Sequence, residues 1–281
     1  MAYTVREHYI PQFYLRNFSS DQKRIYQYEI GSNKPSKLVP IESVCCVDNL
    51  YEFKNDDGEI IDRNRIEKAF AVFEGEFHNV ISSIVSKARH TENLYTPCFL
   101  TQKEKAMLVF FLATSVLRTP TMVDEAQKAA LKFFGDTISK QDARNLVLQE
   151  LFPIYKELNG DDKNALNPTL KWFENMSFHI GVTWWDCLVT CDRPVIVRGN
   201  HKVFQPEGVL FPLTPNIALT MLTIKKTRAC NRNKLAYLDG YSINVLNSEI
   251  IANCNRWIFS KDEITSEQIK FIEKVRKEQY N

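Results

Sequence analysis

Six residues scattered along the chain carry side chains that acid–base or phosphate chemistry needs: His8, Gln12, Glu74, Arg118, Asp192 and Asn247. His8 or Asp192 could take a proton from water, and a nearby cation would lower the energy of charge developing on an attacked phosphate. Arg118 supplies that cation, because a guanidinium offers a planar fork matched to carboxylate or phosphate. Asp192 and Glu74 are candidate ligands for a divalent ion, Mg2+ or Mn2+, that would activate the water. Gln12, Asn247, Arg193 and Arg256 complete the set as substrate-orienting groups. On this reading the chain is a phosphodiester hydrolase, a small nuclease or toxin-like effector, with nucleic acid or a nucleotide as its ligand. One alternative is a non-catalytic module that binds a nucleotide, a peptide or a protein. Another is a scaffold in which each polar group satisfies buried backbone.

Local sequence dictates how each of these residues would be held. Asp192 stands in Leu188-Val189-Thr190-Cys191-Asp192-Arg193-Pro194-Val195-Ile196-Val197, where two β-forming apolar runs flank a Cys-Asp-Arg-Pro step. Pro194 has no backbone donor and a fixed φ, so a strand must break or bulge there. The plain alternative is a surface turn in which Asp192 caps backbone amides. His8 and Gln12 belong to His8-Tyr9-Ile10-Pro11-Gln12-Phe13-Tyr14-Leu15-Arg16-Asn17-Phe18. Pro11 suits the first turn of a short helix, and Leu15 and Phe18 then share one face. His8 either turns inward beside Gln12 or is simply solvated.

Glu74 lies on a helix expected from about Ile61 to Ala88, where Ile66, Phe70, Phe73, Phe77, Ile81, Ile84 and Val85 recur at three and four. It could share a ligand with His78 one turn on, or pair with it on the solvent side. Arg118 follows a helix opened by a capping box, Thr101-Gln102-Lys103-Glu104, and apolar around most of its circumference. A cation at that C-terminal end also complements the helix dipole, which is the structural reading of Arg118.

The remaining elements frame these positions. Arg24 to Ile30 alternates as a half-buried strand, and short strands at Lys37–Pro40 and Ser43–Val47 continue a meander. Helices are expected from Met122 to Phe134 and from Asp142 to Leu158, then an exposed loop at Asn159–Asn164 and a short helix from Asn167-Pro168. Strands at Ser177–Thr183, Trp185–Thr190, Val209–Pro215 and Ile217–Ile224 return the chain to β structure. Lys225-Lys226-Thr227-Arg228, with Arg232 and Lys234, is a basic run, either a solvated loop or a grip for a phosphate backbone. A helix from Ser242 to about Trp257 and an amphipathic one from Thr265 close the chain. The expected class is α+β: a central helical bundle packed with a mostly antiparallel sheet built from the N-terminal and C-terminal thirds. One domain with two lobes accounts for this, with 1–60 and 177–260 mostly β, 61–176 helical and 262–281 a terminal helix.

Composition narrows the function. A formal charge of +2 gives a weak overall field, so nucleic-acid binding would need a local basic patch. The seven cysteines lack metal-ligand spacing: Cys187 and Cys191 are four apart, with no second Cys/His pair nearby to complete a tetrahedral site. Free buried thiols imply a reducing compartment. Met1 to Asn17 lacks a signal peptide's apolar core, and no apolar run approaches the roughly 18 residues of a membrane span. The expectation is therefore a cytoplasmic protein with no membrane partner. Neither a GxGxxG or P-loop nor a Gly-x-Ser-x-Gly elbow occurs, which argues against Gly-loop nucleotide binding and α/β-hydrolase chemistry.

Several of these segments together resemble a bacterial family of unknown function whose members open with His-Tyr-Val/Ile-Pro-Gln-Phe-Tyr-Leu-Arg-Asn-Phe. The likeness rests on His8 to Phe18, Arg118-Thr119-Pro120, Thr190 to Val195, Phe211-Pro212-Leu213-Thr214-Pro215, Asn247 and Arg256, in the same order. It spans nearly the whole chain. The central step of that family usually reads Thr-Ser-Asp-Asn-Pro; here Cys191 and Arg193 stand for the Ser and Asn. The resemblance implies shared site positions at Asp192 and Pro194 and no particular activity.

Overall fold

The Asp-Arg-Pro step is the point at which the chain passes from one sheet to the other. In a computed structural model, residues 4–91, 99–151, 176–199, 207–224 and 233–279 are described. The expected loop at 159–164, the short helix after Pro168, most of the basic run, Cys98 and Cys230 lie outside those residues.

The N-terminal third forms strand β1 (Arg6–His8), helix α1 (Gln12–Arg16), and strands β2 (Arg24–Glu29), β3 (Lys37–Pro40), β4 (Cys46–Asp48), β5 (Phe53–Lys54) and β6 (Ile60–Asp62). The helical layer follows as α2 (Arg65–His90), α3 (Gln102–Leu117), α4 (Pro120–Phe134) and α5 (Lys140–Leu151). The last third supplies β7 (Met176–Val182), β8 (Thr190–Cys191), β9 (Ile196–Arg198), β10 (Gly208–Thr214), β11 (Ile217–Thr223) and β12 (Leu235–Tyr237). Helix α6 (Gly240–Asn253), strand β13 (Trp257–Ser260) and helix α7 (Ser266–Gln279) complete it.

The class is α+β with mostly antiparallel pairing. One sheet, β12-β7-β11-β10-β9, comes entirely from the last third and contains a single parallel pair, β12 with β7. A second sheet, β3-β2-β13-β8, joins the two ends of the chain. So β8 lies in the second sheet and β9, after four intervening residues, in the first. The chain ends thus share the smaller sheet rather than building one continuous sheet.

Strand alternation places these sheets between two cores. In β13 Phe259 faces the core shared with α2 and α3, while Ile258 faces a second core with Leu246, Ile250 and Ile272 of α6 and α7. In β10 Phe211 and Leu210 divide the same way. Helix α2 buries Ile66, Phe70, Phe73, Phe77, Ile81 and Ile84 along one stripe, as the three-and-four spacing requires. Against it α3 packs Phe110 and Phe111, and ring contacts run from Phe77 through Phe111 at 5.1 Å to Phe211 at 5.6 Å. Each such ring buried contributes roughly 2–3 kcal/mol, so the aromatic ladder is what fastens the helices to the sheet. The α3 capping box is formed, with Thr101 accepting from the Glu104 amide and Glu104 reaching back to the Thr101 amide.

Several boundaries differ from the pattern expected from sequence: Ile60–Asp62 is a strand and the long helix starts only at Arg65. The strand expected at Ser43–Val47 runs from Cys46 to Asp48, and two further differences have an identifiable reason. The helix from residue 240 stops at Asn253 rather than near Trp257, because Asp192 captures the amides of residues 255, 256 and 257. Residues 185–189 do not join a ladder, because Asn247 takes the Val189 amide and the Cys187 carbonyl. Proline 212 and the register shift after it leave carbonyls of β10 off the ladder. The Tyr14 hydroxyl donates to the Pro212 carbonyl at 2.8 Å and meets Thr190 Oγ1 at 2.7 Å, while Asn17 donates to the Leu213 carbonyl. Helix α1, too short to be stable alone, is held by these long-range bonds.

Candidate functional site

Four of the residues expected to carry chemistry converge where β1, α1, α2 and α3 meet. Arg118 caps the C-terminus of α3 with only 4 % of its surface exposed. Its Nη1 donates to Glu74 Oε1 at 2.9 Å, its Nη2 donates to the His8 carbonyl, and its guanidinium lies 4.1 Å from the centre of the Phe70 ring. The Arg118 carbonyl in turn accepts from the Tyr51 hydroxyl. His8 Nε2 lies 3.5 Å from Gln12 Nε2, and Gln12 Oε1 accepts from Arg16 at 2.9 Å. Burial lowers the His8 pKa; the nearby Arg118 adds to this, against a backbone hydrogen bond at Glu42 that raises it. The imidazole is therefore neutral near pH 7. His78 is exposed and meets Phe13 edge-on, so Glu74 pairs with Arg118 rather than with the histidine one turn away.

Gln12 and Arg16 open onto a cleft of about 620 Å³, lined also by Lys23, Arg24, Asp21 and Glu42. Asp21 is already engaged: it accepts from Arg24 Nε at 2.8 Å and from the amides of Lys23 and Arg24. The Arg24 bond, with those amides, holds its carboxyl well below the usual range. Among the described residues neither Arg16 nor Lys23 takes part in an ion pair, so the cleft presents two cations outside any ion pair, with Arg16 held by the Gln12 amide.

Beneath this group lies a set of acids that sequence spacing did not single out. Glu7 and Glu52 are fully buried; Glu7 accepts from the Tyr51 amide at 2.7 Å, and Glu52 accepts from the Asn64 amide and side chain, each at 2.9 Å. Burial pushes the Glu7 carboxyl up to about 7, opposed by the Tyr51 amide and reinforced by the charges of Glu52 and Glu67. Burial does the same to Glu67, up to about 7, against the attraction of Arg118. Glu7 belongs to a Val5-Arg6-Glu7-His8 alternation, and that inward parity is the one signal that could have found it.

A carboxyl whose pKa rises from 4.5 to about 7 on folding holds its proton more tightly folded than unfolded. Its contribution to stability is full below the unfolded value, declines as pH climbs through this window, and is lost above it. For Glu7 alone the swing is about 3 kcal/mol. Glu7→Gln is expected to flatten the fall in stability between acid and neutral pH and to raise the urea midpoint at pH 8. An unchanged pH profile in that variant would remove Glu7 as the source.

The other four expected residues occupy separate positions. Asp192, 4 % exposed, accepts at Oδ1 from the Asn255 amide (2.8 Å) and at Oδ2 from the amides of Arg256 (2.8 Å) and Trp257 (3.1 Å). Its own amide donates to the Trp257 carbonyl at 3.0 Å. The carboxylate caps backbone, as the structural alternative had it, but in the interior rather than on the surface. Asn247 bridges Cys187 and Val189 and so pins the approach to β8. Arg256 is exposed, pairs with Glu29 at 2.7 Å and lies over Trp257 at 4.5 Å. Arg193 lines a cavity of about 30 Å³ beside Thr119, Met122 and Glu125, room for about one water. Asp192 and Glu74 thus have different partners, and among the described residues they do not fall in one set of metal-ligand atoms. The structure brings His8, Gln12, Glu74 and Arg118 together, and it places Asp192, Arg193, Asn247 and Arg256 around the sheet crossing.

Fold and site together define an α+β protein in which short polar motifs, far apart in sequence, bolt two sheets to a helical layer. The chain belongs to the family described as "Protein of unknown function (DUF4238)", which matches residues 6–263. No curated protein and no solved structure matches it. Among the described residues no single helix is long and apolar enough to cross a membrane.

Proposed function

We propose that this chain is a cytoplasmic bacterial module that recognises a phosphate-bearing ligand, a nucleotide or a nucleic-acid strand, in the cleft beside Gln12. What supports this is the division of polar groups: Arg118 and Glu74 hold one another and Asp192 holds backbone, whereas Arg16 and Lys23 stand outside any ion pair on the cleft, Arg16 steadied by the Gln12 amide. Two cations and an amide on a concave surface suit phosphate oxygens. The cleft's volume of about 620 Å³ would accommodate a nucleotide. Five unpaired cysteines among the described residues fit a reducing compartment.

Phosphodiester hydrolysis is the second reading, and the neutral His8 imidazole behind Gln12 favours it, because a general base must be unprotonated at working pH. Here His8 rather than Asp192 would be the base, and a divalent ion would have to be held by ligands of the substrate as well as the protein.

Titration of a fluorescent single-stranded oligonucleotide and of a labelled nucleotide tests the binding reading. The Arg16→Glu/Lys23→Glu double variant is expected to bind at least about tenfold more weakly, with a shallower salt dependence, since two phosphate contacts are lost. Equal affinity in the double variant would overturn the assignment of the cleft. Incubation of the wild type and His8→Gln with RNA, single-stranded DNA and duplex DNA, with and without Mg2+ or Mn2+, tests the second. Cleavage that disappears in His8→Gln supports hydrolysis; binding without cleavage leaves a recognition module.

A further inference from the structure

At the sheet crossing two cysteines 63 positions apart meet. Cys191 ends β8 and Cys254 is the C-cap of α6. Their sulfur atoms and a carboxylate oxygen of Asp192 all lie within 4.8 Å of one another, and all three residues are buried. From the packing of these donors we infer that Cys191, Cys254 and Asp192 form a binding site for a thiophilic divalent cation, Zn2+ in the first instance. The site is distinct from the ligand cleft and does not depend on the reading given for it.

Geometry favours this over three chance neighbours. Ligand atoms around a tetrahedral zinc with Zn–S near 2.3 Å sit about 3.8 Å apart, so the observed spacing closes by shifts well under the length of a bond. A carboxylate has about four lone-pair directions, and three amides occupy three of Asp192's. Cys254 shares side-chain hydrogen bonds with both Asp192 and Cys191, so the three donors already meet and an ion would replace those bonds. The three amides thereby serve as the outer shell that fixes a ligating carboxylate. The Arg193 amide donates to Cys191 Sγ at 3.4 Å, which fixes the position of that sulfur. Cys254 lies at the C-terminal end of α6, the negative end of its dipole, where a cation is favoured.

Two thiolates and one carboxylate select Zn2+ over Mg2+ or Mn2+, which take oxygen donors. Binding is redox-neutral. Each S–H bond breaks as an S–Zn bond forms, and the protons pass to solvent, so at least two are released per ion bound.

Metal analysis of the full chain purified without chelators is the test, followed by replacement with Co2+. The expected result is about one zinc per chain and a near-ultraviolet thiolate-to-cobalt absorption band, as follows from a mononuclear Cys2Asp centre. Cys191→Ser and Cys254→Ser are each expected to lower retained metal at least about tenfold relative to a Cys187→Ser control, whose thiol lies outside the set. Should either variant fail to fold, the cobalt spectrum of the wild type decides alone. Wild-type protein with no zinc above background, and no thiolate band after Co2+ addition, would overturn the site.

Discussion

Asp192→Ala is expected to lower the stability of the chain by about 4 kcal/mol, the cost of leaving three buried amides without a charged acceptor. For a chain of this size that is a fall of roughly 10 °C in Tm. The carboxylate holds the amides of Asn255, Arg256 and Trp257, the three residues that turn the chain out of α6 and into β13. With it gone, the pairing of Ile258 with Cys191 and with Tyr28 loses its anchor, so the smaller sheet frays from the middle. Asp192→Asn should be intermediate, because one oxygen remains an acceptor while the new NH2 group faces N–H donors. Urea unfolding of the wild type and both variants would check this. A catalytic base would behave otherwise: Asn would abolish activity and leave the midpoint in place. Unfolding midpoints that coincide for all three proteins would mean that the clamp is not structural.

Arg118→Met should cost about 3 kcal/mol, and Arg118→Lys should recover less than half of it, because an ammonium cannot reproduce the fork. The ion pair itself contributes little of this. The Glu74 side chain is 32 % exposed, so water screens its attraction to the guanidinium. The larger part is the loss of contact over Phe70 and of the donor to the His8 carbonyl, which together seat β1 against the helices. A double-mutant cycle with Glu74→Gln separates the two, since the pair's own coupling appears as non-additivity. Coupling that accounts for the whole loss would contradict this division. Weaker ligand binding in Arg118→Met is also expected, because His8 and Gln12 depend on the placement of that strand.

Much of the architecture was legible in the sequence for physical reasons that operate within a few residues. The buried stripe of α2 and the capping box of α3 are local patterns, and both elements form where their residues require. Pro11 at the start of α1 and Pro194 at the strand break are constraints of a single ring. The partnership of Glu74 with Arg118 was not readable, because 44 positions separate them and only the crossing of two helices brings them together. The same is true of Cys191 and Cys254, whose spacing matches no short metal motif and which meet only because β8 pairs with β13. Glu7 was hidden by its type: a glutamate in an exposed-looking tail reads as solvated, whereas pairing with β4 turns it into the interior. Asp192 drew attention in the sequence as a charge among apolar residues, and the structure accounts for that charge by three amides that share no sequence signal with it.

A ligand phosphate is expected to sit beside Gln12, Arg16 and Lys23. Mapping amide chemical shifts during titration with adenosine diphosphate locates it directly. Shifts concentrated on Gln12, Arg16, Lys23 and Arg24, and absent in the Arg16→Glu/Lys23→Glu variant, are the predicted result. Shifts centred on Arg193 and Arg256 at the sheet crossing, or none at saturating ligand, would contradict it.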